Sequence, residues 1–440
     1  MHRALLCALL VIDGAAKDDG LARTPPMGWS SWNCFRTRVD EAKMIAAADA
    51  LVDSGLAALG YTVVWIDAGW WKTERAIVNG TNASVAARNA TGFLVADALK
   101  FPRGIRAVSD HARARGLTYG HYTDGGHKFC TGELRASAGY EPQDAALFAA
   151  WGADALKIDH CDAGTADGDI PASAQPATME RWSALLDASG RDVLVQNCGV
   201  GCAPGLAGHD RAWGGFCNAT AHFWRVGRDI EATWARVMAG LDLLANMTAL
   251  AGPGGWNYPD SLEVGNPGLT LAEARGHFAL WCVASSPLIL GHDLSNMSAD
   301  VLSIVGNAEA VAVNQAWAGS PGYRAAQATA TDRAGAAYAV EVWTKPLPGD
   351  EHAAVLLNRD AADGAARGAA ADGVVNVTFA FADASLSCDV RDLDAREDLG
   401  CFEGGFTAAL GLHEARFIVA RSCRSAPCGE GREPDPRSDK

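Results

Sequence analysis

Residues 151–162 read W-G-A-D-A-L-K-I-D-H-C-D and contain the pattern from which the fold is predicted. The apolar run at 155–158 suits a short buried strand, and it places Lys157 and Asp159 at its end. Four similar runs end in polar or charged residues, namely Asp67, Asp124, Asn197 and Arg225. Strands that alternate with helices and end in functional groups are typical of a parallel barrel whose C-terminal rim is the active site. The alternative is that these residues only cap ordinary strands.

Eight strand-and-helix units between residues 22 and 318 predict a (β/α)8 TIM barrel. The predicted strands are 27–29, 61–66, 117–123, 155–158, 193–196, 221–224, 247–251 and 280–289. Helices are predicted at 41–54, 102–115, 142–151, 177–189 and 230–244. The segment 68–101 between the second strand and the next helix is interpreted as a long polar loop.

From residue 319 the pattern changes to strands without intervening helices. Predicted strands at 337–343, 353–357, 374–381 and 415–419 are separated by turn residues. We therefore expect a small antiparallel β-sandwich over residues 319–423, followed by a disordered tail at 424–440.

Composition limits the classes of partner. The 440 residues include 37 Lys and Arg against 52 Asp and Glu, a formal charge of -15. Such an excess of negative charge argues against nucleic acid as a partner. No apolar run reaches the roughly 18 to 20 residues that span a bilayer. These features predict a protein with no membrane span and a sizeable core.

The N-terminus and the cysteines indicate the secretory route. Residues 1–16 combine a basic start, an apolar stretch and small residues, which predicts a signal peptide and a secreted, lysosomal or vacuolar protein. Seven N-x-Ser/Thr sequons agree with that route. The twelve cysteines offer several local disulfides, namely Cys388 with Cys401, Cys423 with Cys428 and Cys130 with Cys161, but spacing leaves the pairing open. A zinc site at Cys198, Cys202 and Cys217 is the competing interpretation.

Two rim carboxyl groups could perform glycoside hydrolysis, which needs one ionised and one protonated carboxyl group on opposite sides of a sugar carbon. Asp159 lies two residues from Lys157, whose charge favours its ionised form. Asp229 lies four residues after Arg225 and could instead be a helix N-cap. Flat faces and hydroxyl acceptors for a pyranose ring are available at Trp32, Tyr122, Asp67 and Asp260.

Longer motifs make the chain resemble glycoside hydrolase family 27, the α-galactosidases and α-N-acetylgalactosaminidases. They are T-P-P-M-G-W-S-S-W-N at 24–33, W-I-D-A-G-W at 65–70, Y-T-D at 122–124, L-K-I-D-H-C at 156–161, F-W-R-V-G-R-D-I at 223–230 and G-P-G-G-W-N-Y-P-D at 252–260. Later segments at 341–347 and 396–400 resemble the C-terminal β domain of the family. The likeness covers nearly the whole chain after its leader.

The resemblance implies a retaining exo-glycosidase for terminal α-D-galactosyl residues, with Asp159 as nucleophile and Asp229 as acid/base. Retention requires the two carboxyl groups to lie ~5 to 5.5 Å apart. The resemblance also implies a Cys130–Cys161 bridge, no cofactor or metal, and a possible homodimer. By the same likeness the sugar contacts are Trp32, Asp67, Tyr122, Cys130, Lys157, Arg225 and Asp260.

Three departures from the family pattern bear on sugar selectivity. Ala68 stands where a second aspartate usually follows Asp67, Tyr258 replaces an aspartate, and the loop at 196–202 lacks the usual Cys-Glu-Trp. A β-L-arabinopyranoside lacks the C6 group and would be less affected by the missing aspartate, so β-L-arabinopyranosidase activity is an alternative. Acetamido sugars fit less well, and a catalytically inactive sugar-binding protein is a further alternative.

Overall fold

A computed structural model describes residue 17 and residues 19–161, 174–199, 214–360 and 373–429. The predicted signal peptide at 1–16, residues 200–202 of the loop after the fifth barrel strand, and residues 430–440 of the predicted tail lie outside these described residues. None of the helices in the described ranges is both long and apolar enough to cross a bilayer.

The first part of the chain alternates strands and helices, as the sequence predicts. In order these are β1 (Met27–Ser30), α1 (Trp32–Phe35), α2 (Glu41–Asp53), β2 (Val63–Trp65), β3 (Thr73–Val78), β4 (Thr81–Ala86), α3 (Ile105–Ala114), β5 (Thr118–Asp124), α4 (Glu141–Trp151), β6 (Ala155–Asp159), α5 (Gln175–Ala188), β7 (Leu194–Asn197), α6 (Gly214–Thr220), β8 (Phe223–Arg225), α7 (Trp234–Leu244), β9 (Trp256–Tyr258), α8 (Leu271–Val283), β10 (Leu288–Leu290), α9 (Ala299–Val305) and α10 (Ala308–Gln315).

Eight of these strands form one parallel sheet in the order β10-β1-β2-β5-β6-β7-β8-β9. The sheet closes just beyond β9, where the Leu262 N–H donates to the Ile289 carbonyl at 2.7 Å and the Gly291 N–H donates to the Leu262 carbonyl at 3.0 Å. All eight strands therefore end at one rim, and the predicted TIM barrel is confirmed.

Large side chains fill the barrel interior. Trp65, Phe223, Trp256 and Tyr258 belong to one buried cluster inside the strands. Gly120 on β5 makes room for them, since a Cβ there would lie 2.3 Å from the Trp65 ring. The interior is a packed core rather than a pore, so ligands are restricted to the rim.

The second part of the chain is all β. Its strands are β11 (Tyr323–Thr331), β12 (Ala337–Leu347), β13 (Glu351–Asn358), β14 (Val375–Ala380), β15 (Ser387–Asp392), β16 (Glu397–Glu403), β17 (Gly405–Leu410) and β18 (Ala415–Arg424). A six-stranded antiparallel sheet, β11-β12-β13-β18-β15-β16, packs with the antiparallel pair β14-β17. The predicted β-sandwich is confirmed.

Two barrel strands differ from the prediction. The predicted seventh strand at 247–251 contains the 3-10 turn Thr248–Leu250, and the seventh strand is β9. The range predicted as the eighth strand, 280–289, covers the end of α8 and the start of β10, which are separate elements. Residues 276–283 of α8 are all buried, so no polar face reveals the helix, and an apolar run alone does not separate a buried helix from a strand.

The predicted long loop at 68–101 contains the hairpin β3-β4. Its two turn residues, Asn79 and Gly80, have φ values of 51° and 78°. Positive φ at both positions is the signature of the tight turns that join antiparallel strands. The Asn-Gly dipeptide was the sequence signal for this hairpin.

The disulfides in the β domain differ from the local pairs considered first. Cys388 bonds to Cys423 and Cys401 bonds to Cys428. Cys388 lies opposite Phe402 in the β15-β16 register, so Cys388 and Cys401 point to opposite faces of the sheet. β18 is the other neighbour of β15 and brings Cys423 beside Cys388. The Cys130–Cys161 bridge is confirmed.

Candidate active site

The barrel rim holds a cavity of about 460 Å³ that contains eight of the nine predicted site residues: Trp32, Asp67, Tyr122, Cys130, Lys157, Asp159, Arg225 and Asp229. The ninth, Asp260, lines an adjoining recess that shares Trp32, Asp67, Lys157, Arg225 and Asp229 with the larger cavity. Residues that are nearly 200 positions apart in the sequence thus meet at one site.

Lys157 and Asp67 form an ion pair on one side of the cavity. Lys157 Nζ donates to Asp67 Oδ2 at 2.8 Å and lies 5.2 Å from the centre of the Tyr122 ring. Burial lowers the pKa of Lys157, but Asp67 and further negative neighbours raise it well above the ordinary value. The ammonium group therefore stays charged, and its direct partner is Asp67 rather than Asp159.

Asp159 lies at the end of β6 and is held by two donors. The Tyr122 hydroxyl donates to Oδ2 at 3.1 Å, and the His160 backbone N–H donates to Oδ1 at 3.1 Å. Burial, followed by the charge of Asp159, raises the pKa of Tyr122 well above its usual range. The phenol therefore keeps its proton and orients the carboxylate toward the cavity.

On the other side of the site, Arg225 contacts both Asp229 and Asp260. Its Nη1 donates to Asp229 Oδ1 at 3.0 Å, and its Nη2 lies 3.1 Å from Asp260 Oδ2. The side chain of Arg225 is 3% exposed, whereas the side chain of Asp229 is 66% exposed. Asp229 thus extends from a buried charge into the open cavity.

The charge state of Asp229 follows from this pairing. Burial raises the pKa of Asp229, but Arg225 and then Lys157 lower it by more, so that the pKa lies below the ordinary value. Because two-thirds of the side chain is exposed, solvent screens part of the effect. In the free protein Asp229 is therefore a carboxylate. It is not the N-cap of α7, because that helix begins after Thr233, whose side chain accepts from the Arg236 N–H.

Asp260 holds neighbouring groups of the site in place. Its Oδ1 accepts from the Ser261 N–H at 2.8 Å and its Oδ2 from the Ile230 N–H at 2.8 Å. Its φ of 89° is rare for an L-residue, and such conformations cluster at functional sites. Asp260 thus fixes both Arg225 and the backbone next to Asp229.

The Cys130–Cys161 disulfide forms part of the cavity wall, and Asp124 supports it. Asp124 Oδ1 accepts from the Gly126 N–H at 2.8 Å, and Oδ2 accepts from the Cys161 N–H at 3.1 Å. A Cβ on Gly126 would lie 1.9 Å from the Cys161 carbonyl oxygen. Glycine is therefore required where the two loops meet.

Removal of this disulfide should destabilise the barrel rim. The bridge closes a separation of 31 residues, for which the chain-entropy model gives about 3 to 4 kcal/mol. We expect Cys130→Ser to lower the midpoint of urea unfolding accordingly. Cys34→Ser, which removes a free thiol, is the control. An unchanged midpoint for Cys130→Ser would show that the bridge contributes nothing.

Cys198 was not among the predicted sugar contacts, although the loop at 196–202 that contains it was expected to bear on sugar selectivity. Its free thiol lines the cavity, and Arg225 Nη1 donates to its Sγ at 3.4 Å. Cys198 directly follows β7, so its place at a strand end was the available signal. The zinc interpretation for this segment involves Cys202, which lies outside the described residues.

Two family models match the chain, one for each of its two parts. Residues 24–316 match the model of the α-galactosidase A family, and residues 337–420 match that of the α-galactosidase C-terminal β-sandwich domain.

The chain belongs to the α-galactosidase family, glycoside hydrolase family 27.

Individual α-galactosidases share about a third of their residues with it. The α-galactosidase of Cyamopsis tetragonoloba is 32% identical over 406 residues, which cover 91% of this chain and 87% of the relative. Alpha-galactosidase 3 of Arabidopsis thaliana is 36% identical over 408 residues, covering 91% and 83%. The crystal structure of α-galactosidase I from Mortierella vinacea superposes with a TM-score of 0.77 at 30% identity, covering 92% and 98%. The family predicted from the motifs is confirmed, and the chain is a glycoside hydrolase of the α-galactosidase type.

Proposed function

We propose that this enzyme hydrolyses terminal α-D-galactosyl residues by a retaining double displacement between Asp159 and Asp229. The observation that carries the proposal is that the two carboxyl groups line one cavity in contrasting environments. Asp159 accepts from the neutral Tyr122 hydroxyl, whereas Asp229 accepts from the Arg225 guanidinium group. The α-galactosidases to which the chain is similar support the choice of sugar.

In the first step Asp159 attacks the anomeric carbon as the bond to the leaving oxygen breaks. Asp229, protonated, transfers its proton to that oxygen, and the alcohol departs. Lys157 and Asp67 are positioned to hold sugar hydroxyls, and Trp32 offers a flat face to the ring. The product of this step is a glycosyl ester on Asp159.

In the second step Asp229, now ionised, removes a proton from water as the water oxygen attacks the anomeric carbon. The bond to Asp159 breaks, and the sugar leaves with its original configuration. The contact with Arg225 favours the ionised form of Asp229 that this step needs.

Because the first step needs the protonated form of Asp229, we expect kcat/KM for alkyl galactosides to rise as the pH falls.

A substrate panel tests the proposal. Purified protein is incubated with p-nitrophenyl α-D-galactoside, β-L-arabinopyranoside and α-N-acetylgalactosaminide between about pH 4 and pH 7. Fastest release from the galactoside is the expected result. Fastest release from the arabinopyranoside would establish the alternative activity. Measurable sugar binding without any release would support the inactive sugar-binding alternative and refute hydrolysis.

Ala68 is the observation that favours the arabinopyranoside as second candidate. It is buried and lines the cavity next to Asp67, and its N–H donates to Asp67 Oδ1 at 2.7 Å. The methyl group offers no acceptor to a substrate hydroxyl. A sugar without the C6 hydroxyl therefore loses less at this position.

Ala68→Asp should shift selectivity toward galactose. A charged acceptor for a buried hydroxyl contributes about 1.5 to 3 kcal/mol, so we expect the ratio of kcat/KM for galactoside over arabinopyranoside to rise about 10- to 150-fold. Ala68→Asn, of similar shape and without charge, should give a smaller rise. An unchanged ratio in Ala68→Asp would exclude this position as a selectivity determinant.

We propose that the enzyme follows the secretory route, which the Cys130–Cys161, Cys388–Cys423 and Cys401–Cys428 bridges support, because disulfides persist in oxidising compartments. Glycosylation at the sequons and a homodimer remain predictions. The substrate is carbohydrate, and the proposed steps use only side chains of this chain and water.

A further inference from the structure

Glu263 is a buried carboxyl group close to the sugar cavity that the proposed steps do not use. It is 3% exposed and directly follows Leu262, where the barrel closes. Three residues before it, Asp260 binds Arg225. The short segment 260–263 thus connects the Asp229 side of the site to the ends of β10 and β1.

Both carboxyl oxygens of Glu263 accept hydrogen bonds from side-chain amides. Asn33 Nδ2 donates to Oε1 in a short contact, and Asn266 Nδ2 donates to Oε2 at 2.6 Å. The backbone N–H of Glu263 donates to His277 Nε2 at 3.0 Å. Two donors facing two acceptor oxygens is the arrangement of an ionised carboxylate.

Asn33 carries this contact to the sugar site. It follows Trp32 in α1, and both residues line the recess that contains Asp67 and Lys157. A Cβ on Gly291 would lie 3.1 Å from Asn33 Cβ, so the neighbouring loop leaves Asn33 little room to shift. Since Nδ2 is bound to Glu263, Oδ1 is the end of the amide left for a ligand.

We infer that Glu263 is a positioning residue for the sugar site: its carboxylate fixes the amide of Asn33 so that Oδ1 accepts a hydrogen bond from a substrate hydroxyl. The inference rests on the proposed function for the identity of the sugar. Protonation of Glu263 would place an O–H against an amide N–H, and rotation of the Asn33 amide would relieve the conflict. That rotation exchanges Oδ1 for Nδ2 and replaces the acceptor with a donor.

The surroundings make this protonation accessible near neutral pH. Burial raises the pKa of Glu263 to about 7, the amides of Asn266 and Asn33 lower it, Asp260 raises it and Arg36 lowers it. The other titratable groups packed around it are Cys34 on α1, His277 on α8, and His292 and Asp293 after β10. A raised pKa means that the folded state holds this proton more tightly than the unfolded chain. The stability contributed by Glu263 is therefore complete below its ordinary pKa of 4.5 and is lost as the pH rises through about 7.

Glu263→Gln tests the inference. The glutamine side chain has an NH2 group in place of one carboxylate oxygen, so it sets N–H against an amide N–H as the protonated carboxyl group does, and it does not titrate. KM and kcat for p-nitrophenyl α-D-galactoside are measured at about pH 5 and about pH 8.5, on either side of the Glu263 pKa. In the wild type we expect KM to rise about tenfold from the higher to the lower pH, the effect of one misplaced buried hydrogen bond. The variant should show the raised KM at both pH values, with kcat within about threefold of wild type at each pH.

Melting temperatures of the same proteins give a readout that does not depend on activity. The wild type should melt at a lower temperature at the higher of the two pH values than at the lower one. In Glu263→Gln this difference in melting temperature should be smaller. Asp394→Asn is the matched control, because burial raises the pKa of Asp394 to about 6 and it lies beside Asp392 in a different cavity. It should alter the pH dependence of melting and leave KM unchanged.

The outcomes separate this inference from the proposed function. Wild-type KM values in Glu263→Gln at both pH values would overturn the positioning role while galactoside hydrolysis stands. Identical pH dependence of melting in wild type and Glu263→Gln would also overturn it. A wild type that releases nothing from the galactoside would refute the proposed function, and the melting comparison would then still decide whether Glu263 titrates near neutral pH.

Discussion

Asp159→Asn is expected to lower kcat for p-nitrophenyl α-D-galactoside by about four orders of magnitude or more, because the amide has no charge with which to attack the anomeric carbon. Asparagine keeps the shape of the side chain and can still accept from the Tyr122 hydroxyl. Galactose affinity, measured by calorimetry, should therefore stay within about tenfold of wild type. The combination of lost turnover and retained binding is the specific prediction.

Asp300→Asn provides the control for this substitution, since Asp300 is an exposed residue in the first turn of α9. It should retain wild-type turnover. If Asp159→Asn retained more than about a tenth of wild-type kcat, Asp159 would not be the nucleophile. Loss of both turnover and folded structure, seen in the melting curve, would call for Asp159→Ala with the same pair of measurements.

Asp229→Asn should separate the two chemical steps. With p-nitrophenyl α-D-galactoside the leaving group needs little protonation, so the first step survives while the second loses its base. We expect a burst of p-nitrophenol followed by a steady rate lowered about 10²- to 10⁴-fold. Because the side chain is 66% exposed in the open cavity, azide should reach the glycosyl ester and restore turnover.

The rescued product identifies the role of Asp229. Azide that attacks the ester on Asp159 yields α-galactosyl azide, with the configuration of the substrate. Asp187→Asn, which removes an exposed partner of Lys17, is the matched control and should show neither burst nor rescue. An Asp229→Asn enzyme with wild-type steady rate would contradict the acid/base assignment.

The position of the site was predictable because strand periodicity and rim chemistry coincide. Short apolar runs ending in Asp67, Asp159 and Arg225 became barrel strands or the residues just after them, and parallel strands bring such ends together. The sequence also places Arg225 four residues before Asp229, and these two groups form an ion pair in the structure. The sequence did not show that Lys157 would form its ion pair with Asp67 rather than with Asp159, because the partner depends on the distance across the barrel.

What the sequence could not show depends on contacts between distant segments. β9 has only three residues and the middle one is Asn257, so no apolar run marks this strand in the sequence. Cys388 and Cys401 looked adjacent, but strand register sends them to opposite faces. The roles of Asp260 and Glu263 depend on backbone conformation and on amide partners that have no fixed spacing in the sequence.

The stereochemistry of the first product distinguishes two successive displacements by Asp159 and water from a single displacement by water. Hydrolysis of p-nitrophenyl α-D-galactoside is followed by proton NMR from the first minutes, before the free sugar equilibrates. Two successive displacements at one carbon predict that α-galactose appears first and the β anomer only later. Initial formation of β-galactose would mean a single displacement by water, and the assignment of Asp159 as nucleophile would be wrong.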